Sequence, residues 1–315
     1  MSVEEELLAF GYQIGICRQG EANTIRTEYK QDNDPQVYIL RRNYDNKAFR
    51  FRIQTDRFNA IKTEYYACCL LNENGLKGFY PRPIGYYTNI PKVGSLAVSE
   101  YIEGISLDKI IDTLSAKEYQ SIADQIVMLL KKIHSVKCSY FHYFTDEKFF
   151  TWKQMFKNKF NNHLEKSIQT AVISIDYEKI QHQLMLDTHL FENKESSLLH
   201  FDIKPANMIY QSETGKIFLI DFEMSRFGDI LFEFAKGSFA SDIFMNQKYE
   251  FNVWKLILET YLEQPYGEIK QTKLFAWYSL YHYLAYANYK YLRKMEEENI
   301  YIQINHLIQD IIMAV

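Results

Sequence analysis

Between Leu198 and Asp229 the chain reads LLHFDIKPANMIYQSETGKIFLIDFEMSRFGD, and its oxygen-bearing side chains fall at informative places. Asp202 and Asn207 are five residues apart, and Asp221 follows fourteen beyond. Asn207 precedes the apolar run MIY, and Asp221 closes the apolar run IFLI. Two short apolar runs around a polar turn read as a β-hairpin. Asp and Asn favour turns without any ligand, so each residue alone reads as hairpin decoration. Jointly, the three suit a metal-bound phosphate. Phosphoryl transfer asks mainly for positioning and charge neutralisation. A carboxylate at Asp221 and an amide oxygen at Asn207 are the hard donors that Mg²⁺ accepts. Asp202 would take or orient the proton of an attacking hydroxyl. Lys204 on the same loop either neutralises transition-state charge or is a solvated surface lysine.

The elements that must hold these groups are legible in outline. Residues 3–11 read as a short amphipathic helix. Strands follow in YQIGICRQ, NTIRTEY, QVYILRR and KAFRFRI, with turns at GEAN, KQDNDPQ and YDN. From about Phe58 the period becomes helical, with Ile61, Tyr65 and Cys68 on one face and Glu64 on an adjacent one, until NENG stops it. FYPRPIGYYTN reads as an extended, proline-punctuated connection, and SLAVSEYIEG as one more strand and turn. Beyond Leu107 the pattern is helical, with Ile122, Ile126, Leu130 and Ile133 on one face. Two further helices are expected in 151–192 and three after the hairpin. The expected class is α+β, with a β-rich lobe over residues 1–100 and a helical lobe over 101–315.

This order, with the segment HFDIKPAN, resembles the protein-kinase-like fold, and within it the aminoglycoside phosphotransferase and choline kinase family. His200, Asp202 and Asn207 match the H-x-D-x-x-x-x-N loop of that family, and LIDFE matches its metal-binding segment. GDILFEFA is similar to the family's G-D-P-x-x-D-L-A, with Gly228 and Asp229 matching and Glu233 in place of the second Asp. The resemblance covers roughly residues 15–240. It implies a two-lobed kinase in which Asp202 is the catalytic base, and Asn207 and Asp221 hold Mg²⁺. It makes His200 a packed imidazole supporting the loop, and Asp229 an acceptor for the loop's backbone N–H groups. DIKPAN also resembles serine/threonine protein kinases, where the lysine faces the transferred phosphate. Against a protein kinase, Glu223 stands where glycine is usual, and the short path from Asp221 to Asp229 leaves no room for an activation loop.

The resemblance further implies a cation on the third strand paired with a helix glutamate, and so ATP or GTP as cofactor. Arg41 with Glu64 is the leading pair and Arg52 the rival cation. No G-x-G-x-x-G occurs; Gly20 and Asn23 stand in the turn that would meet the phosphates. Backbone groups of Glu100 and Ile102 would read the base. The implied acceptor is small, hydroxylated and cationic, aminoglycoside-like or choline-like. Glu259, Glu263, Glu268 and the run 296–298 are candidate acidic walls, and the aromatic run WYSLYHYLAYANYKY a candidate ammonium cage; helix ends and core packing are the plainer readings. A non-catalytic nucleotide-binding module is the alternative from a different class.

The bulk composition narrows the field. A net charge of −4, with the strongest cationic segment, RRNYDNKAFRFRIQTDR, local and interrupted by acids, argues against nucleic acid. No run of eighteen apolar residues suggests a membrane span, and the acidic N-terminus lacks a signal-peptide pattern. Four cysteines without metal spacing read as reduced thiols, which fits a cytoplasmic setting.

Overall fold

Ser2 opens the first helix through a capping box, accepting from the Glu5 N–H while the Glu5 carboxylate accepts from the Ser2 N–H. The computed structural model describes residues 2–29, 36–54, 60–144, 147–169, 176–244, 253–292 and 298–313. The elements run α1 (Val3–Gln13), β1 (Asn23–Tyr29), β2 (Gln36–Arg42), β3 (Ala48–Ile53), α2 (Ala60–Glu73), β4 (Pro83–Ile90), β5 (Gly94–Glu100) and β6 (Ile105–Ser106). Then come α3 (Ala116–His134), β7 (His142–Tyr143), α4 (Trp152–Gln169), α5 (Tyr177–Leu186), β8 (Ser197–Leu199), β9 (Met208–Gln211), β10 (Lys216–Leu219) and β11 (Arg226–Gly228). Helices α6 (Ile230–Phe244), α7 (Val253–Leu262), α8 (Tyr266–Lys270), α9 (Lys273–Leu292) and α10 (Glu298–Met313) complete the chain.

Contacts divide it into two compact units, Met1–Thr113 with Pro205–Ser225, and Leu114–Lys204 with Arg226–Val315. The expected boundary at residue 100 did not foresee that the hairpin segment would group with the strand-rich unit.

In the first unit an antiparallel sheet runs in the order β1-β2-β3-β5-β4. Strand alternation sorts β3 into two faces. Phe49, Phe51 and Ile53 join Leu7, Phe10, Tyr38, Leu40, Leu96 and Val98 in one apolar cluster under α1. Arg50 and Arg52 point the other way, where α2 brings Glu64. Two sequence expectations fail here for local reasons. YQIGICRQ is the end of α1 and a turn rather than a strand, with Gly15 inside it and Gly20 just after it at positive φ. The segment around Pro83 is strand β4, which tolerates proline because it begins there and lies on the sheet edge. The turn KQDNDPQ falls mostly in 30–35, outside the described residues. A second sheet of this unit, in the order β10-β9-β6, contains the expected hairpin.

The second unit is helical around a small sheet ordered β7-β11-β8. Ser115 caps α3 with a second capping box to Glu118. Trp152, Phe156 and Phe160 of α4 pack with Phe191, Phe232 and Tyr278 as a network of stacked and edge-on rings. The aromatic run of α9 is largely core, with Trp277 and Tyr278 fully buried.

Candidate active site

The first unit builds one half of the chemistry around Arg52. This guanidinium is only 6% exposed. Its Nη1 donates to Glu64 and, at 3.0 Å, to Asp221, while Nη2 donates to Glu223 at 2.6 Å. Arg50 approaches the second oxygen of Glu64 at 3.4 Å. Burial alone would weaken the charge of Arg52, but the carboxylates of Glu64, Asp221 and Glu223 outweigh it and raise the pKa. Burial, and then the charge of Asp221, pushes the Glu223 carboxyl up, against the pull of Arg52.

The hairpin decides where the proposed metal ligands stand. Met208 pairs with Leu219 at its open end, and the Ile220 N–H donates to the Asn207 carbonyl at 2.9 Å. Residues fourteen apart therefore meet at one end of a two-stranded ribbon. Asp221 adopts left-handed backbone angles, φ 67° and ψ 59°. A non-glycine residue held there is strained, a condition concentrated at functional positions. Buried Phe222 anchors the turn by packing edge-on to Tyr80. The donor set fits a divalent ion. Asp221 supplies a carboxylate, Asn207 an amide, and among the described residues no group of three His, Cys, Asp or Glu could hold a metal by itself. An ion here would take remaining ligands from phosphate and water, as Mg²⁺ commonly does.

The second unit carries the catalytic loop. His200 is fully buried, and its Nδ1 accepts from the Asp202 N–H at 3.2 Å. Phe201 sits at φ 65°, and α6 grips its peptide on both sides. The N–H donates to Glu233, and the carbonyl accepts from the Lys236 ammonium. Glu233 is itself buried and contacts His134 Nε2 at 2.5 Å. Residues three apart share a helix face, so one turn of α6 clamps one strained peptide. The Asp202 carboxylate lies 2.8 Å from Lys204 and 3.4 Å from Lys236. Burial opposes its ionisation, but Lys236 and Lys204 prevail and hold it well below the usual carboxylate range. It is ionised across neutral pH.

Several expectations need correction. Glu64 pairs with Arg52, not Arg41. Arg41 lies across from Ala48 near the β2–β3 turn, bound to Asn46 and Glu103. Arg41 lies on the same face as Arg52, since Val37, which shares that face, pairs with Arg52. Arg41 stands four residues along the strand from Val37, about 13 Å at ~3.4 Å per residue. Counting YQIGICRQ as a strand shifted the count by one. Asp229 accepts from Leu231 N–H at the start of α6 and from Tyr278 OH rather than from the catalytic loop, which Glu233 holds instead. Lys236 escaped notice; its signal was the i, i+3 spacing from Glu233.

The remaining candidates are placed as follows. Gly20 has φ 82°, and the Asn23 side chain ties that turn to the Glu21 carbonyl at 2.9 Å. The Glu100 N–H is committed to the Arg82 carbonyl. No hydrogen bond involves Ile102 among the described residues. Glu259 accepts from the Tyr266 N–H, and Glu263 has positive φ. Residues 296 and 297 lie outside the described residues.

A two-unit fold with an H-x-D loop, a hairpin presenting Asn and Asp, and a buried Arg–Glu pair defines a kinase-like phosphotransferase. Known structures share this fold. The ADP-bound aminoglycoside phosphotransferase APH(2'')-Ib is similar with a TM-score of 0.66 and 19% identity over 98% of each chain. The GDP complex of wild-type aminoglycoside 2'-phosphotransferase-IIIa is similar with a TM-score of 0.61 and 10% identity over 99% of each. An ethanolamine kinase from Plasmodium vivax gives 0.59 and 15% identity over 91% of this chain and 82% of that one. A search of curated proteins gives no match. Residues 21–256 match the phosphotransferase enzyme family, and the chain belongs to that family. It is a small-molecule kinase by that membership. No described helix is long and apolar enough to cross a membrane.

Proposed function

We propose that the protein transfers the γ-phosphoryl group of ATP or GTP, as a magnesium complex, to a hydroxyl of a small molecule. The observation that carries this is the hairpin end where Asn207 meets Asp221, five residues after an ionised, lysine-flanked Asp202. The acceptor oxygen bonds to the γ-phosphorus, the bond from that phosphorus to the β–γ bridging oxygen breaks, and the hydroxyl proton passes to Asp202. Asn207 and Asp221 would hold Mg²⁺, which neutralises phosphate charge when bound. Arg52, positioned by Glu64, would bind phosphate oxygens through its planar fork. Lys204 would meet the charge that develops on the transferred group, and the backbone of Ile102 would read the base.

The similar structures include a gentamicin-bound aminoglycoside phosphotransferase and an ethanolamine kinase, which supports a small hydroxylated acceptor here. The charge of that acceptor is a separate matter, because Lys204 and Lys236, not acids, are paired with Asp202.

The test is nucleoside diphosphate release across a library of hydroxylated acceptors, beside thermal-shift titration with Mg·ATP and Mg·GTP. Intact protein should be stabilised by the nucleotide, and Asp221→Ala should lose the magnesium-dependent part. Asp202→Asn should keep the nucleotide-induced shift and lose about 10²–10⁴-fold in kcat. Stabilisation without turnover of any acceptor would favour a non-catalytic nucleotide-binding module. Transfer to peptides alone would favour a protein kinase.

A further inference from the structure

Within its own unit the charged side chains paired with Asp202 are the cations Lys204 and Lys236, and further basic groups gather around the neighbouring Phe201. Lys236 rises from α6 with its side chain 19% exposed, one N–H on the Phe201 carbonyl and another on Asp202. An ammonium has three N–H donors, and the third has no acceptor among the described residues. Arg226 of β11 is 4% exposed and lies 3.5 Å over the ring of Phe201, whose ring Lys236 approaches at 4.7 Å. His282 of α9 packs 5.6 Å from Phe201 and is kept neutral by burial and then by Lys236, with Arg226 and His163 adding to the effect. His163 of α4 packs on Tyr281, and its Nδ1 is buried without a hydrogen-bond partner. Burial, followed by Lys166, Arg226 and Lys159, lowers its pKa to about 4. Asp202 is reserved for the hydroxyl proton, and Glu233 is engaged by Phe201 and His134.

A buried cation wants an anion or several strong acceptors. A cationic acceptor presented to Asp202 would place a further positive charge beside Lys204 and Lys236. An acceptor bearing a carboxylate or phosphate would instead meet the Lys236 ammonium.

We propose that the phosphate acceptor is a hydroxylated acid, read through its anionic group by the Lys236 ammonium beside Asp202. This rests on the phosphotransferase reading and narrows its acceptor. Lys236 thereby separates this chain's specificity from the cationic acceptors that the sequence resemblance implied.

Stabilisation by Mg·ATP, measured first, tests the phosphotransferase reading alone. The acceptor is then tested with matched probes, gluconate and glucuronate against glucose and against glucosamine and choline, following ADP release. The acids should show the highest kcat/KM. Lys236→Met loosens the loop and should lower kcat for every acceptor, but it should in addition raise KM for the acids at least tenfold more than for the neutral sugar and leave KM for ATP within twofold. Lys236→Arg should restore much of the loss. Turnover confined to the amines would overturn the proposal. So would a Lys236→Met variant whose KM rises no more for the acids than for the neutral sugar, since Lys236 would then serve only the loop. A large rise in KM for ATP would also overturn it, by assigning the lysine to the nucleotide.

Discussion

Arg52 satisfies three carboxylates at once, and that is the source of both its importance and its vulnerability. Removing one partner of a buried ionic set leaves uncompensated charge in a poorly solvated place. Arg52→Leu would strand Glu64, Asp221 and Glu223 together, and should destabilise the fold by about 3–5 kcal/mol in urea denaturation. Arg41 offers the control. Its pairing with Glu103 is more exposed, 31% and 58% for the two side chains, so Arg41→Ala should cost about 1 kcal/mol or less. The sequence offered both arginines as candidates, yet ranked them in the wrong order, because which strand is third depends on where the first strand begins.

At the scale of elements, α6 is the part that joins fold to chemistry. Glu233 and Lys236 hold the two sides of the Phe201 peptide, and Trp254 of α7 covers the same helix at Gly237. A Cβ at Gly237 would stand 2.0 Å from the Trp254 ring, which the backbone cannot absorb without shifting. Gly237→Ala should therefore lower stability by about 1–3 kcal/mol through overpacking, read as a reduced melting temperature. Glu233→Ala acts differently, by orphaning the buried Phe201 N–H, with an expected loss of about 1–3 kcal/mol. Because the clamp sets the backbone before Asp202, that variant should lose kcat more steeply than stability, measured on the same preparation. Capping, by contrast, is a local matter: Ser115 and Glu118 close the box that starts α3 within four consecutive residues.

For the whole molecule, the buried imidazoles make stability respond to pH. His163 and His282 have folded pKa values below the unfolded value of about 6.5. Between the two values the unfolded chain binds more protons, so stability rises with pH. Their contribution is complete above about pH 6.5 and is lost as pH falls through the folded values, near 4 for His163. Each group should add a slope of up to about 1.4 kcal/mol per pH unit in that window. Asp202 acts at lower pH. Its depressed folded value gives stability above about pH 4 that is lost only under stronger acid. Denaturation midpoints from pH 7 to pH 4.5 should fall for the intact protein and fall less for His163→Leu.

What the sequence determined by itself was the set of groups whose relations are short-range or strictly periodic. The loop His200–Asn207, the hairpin that carries Asp221, the helix bearing Glu64 and the mixed α+β order all follow from spacing and alternation, because local backbone geometry enforces them. Tertiary structure decided which cation meets Glu64, which acid holds the catalytic loop, and that a lysine from a helix 34 residues away stands at Asp202. Those outcomes depend on how separate elements pack, and packing is set by the joint fit of many side chains rather than by any one segment.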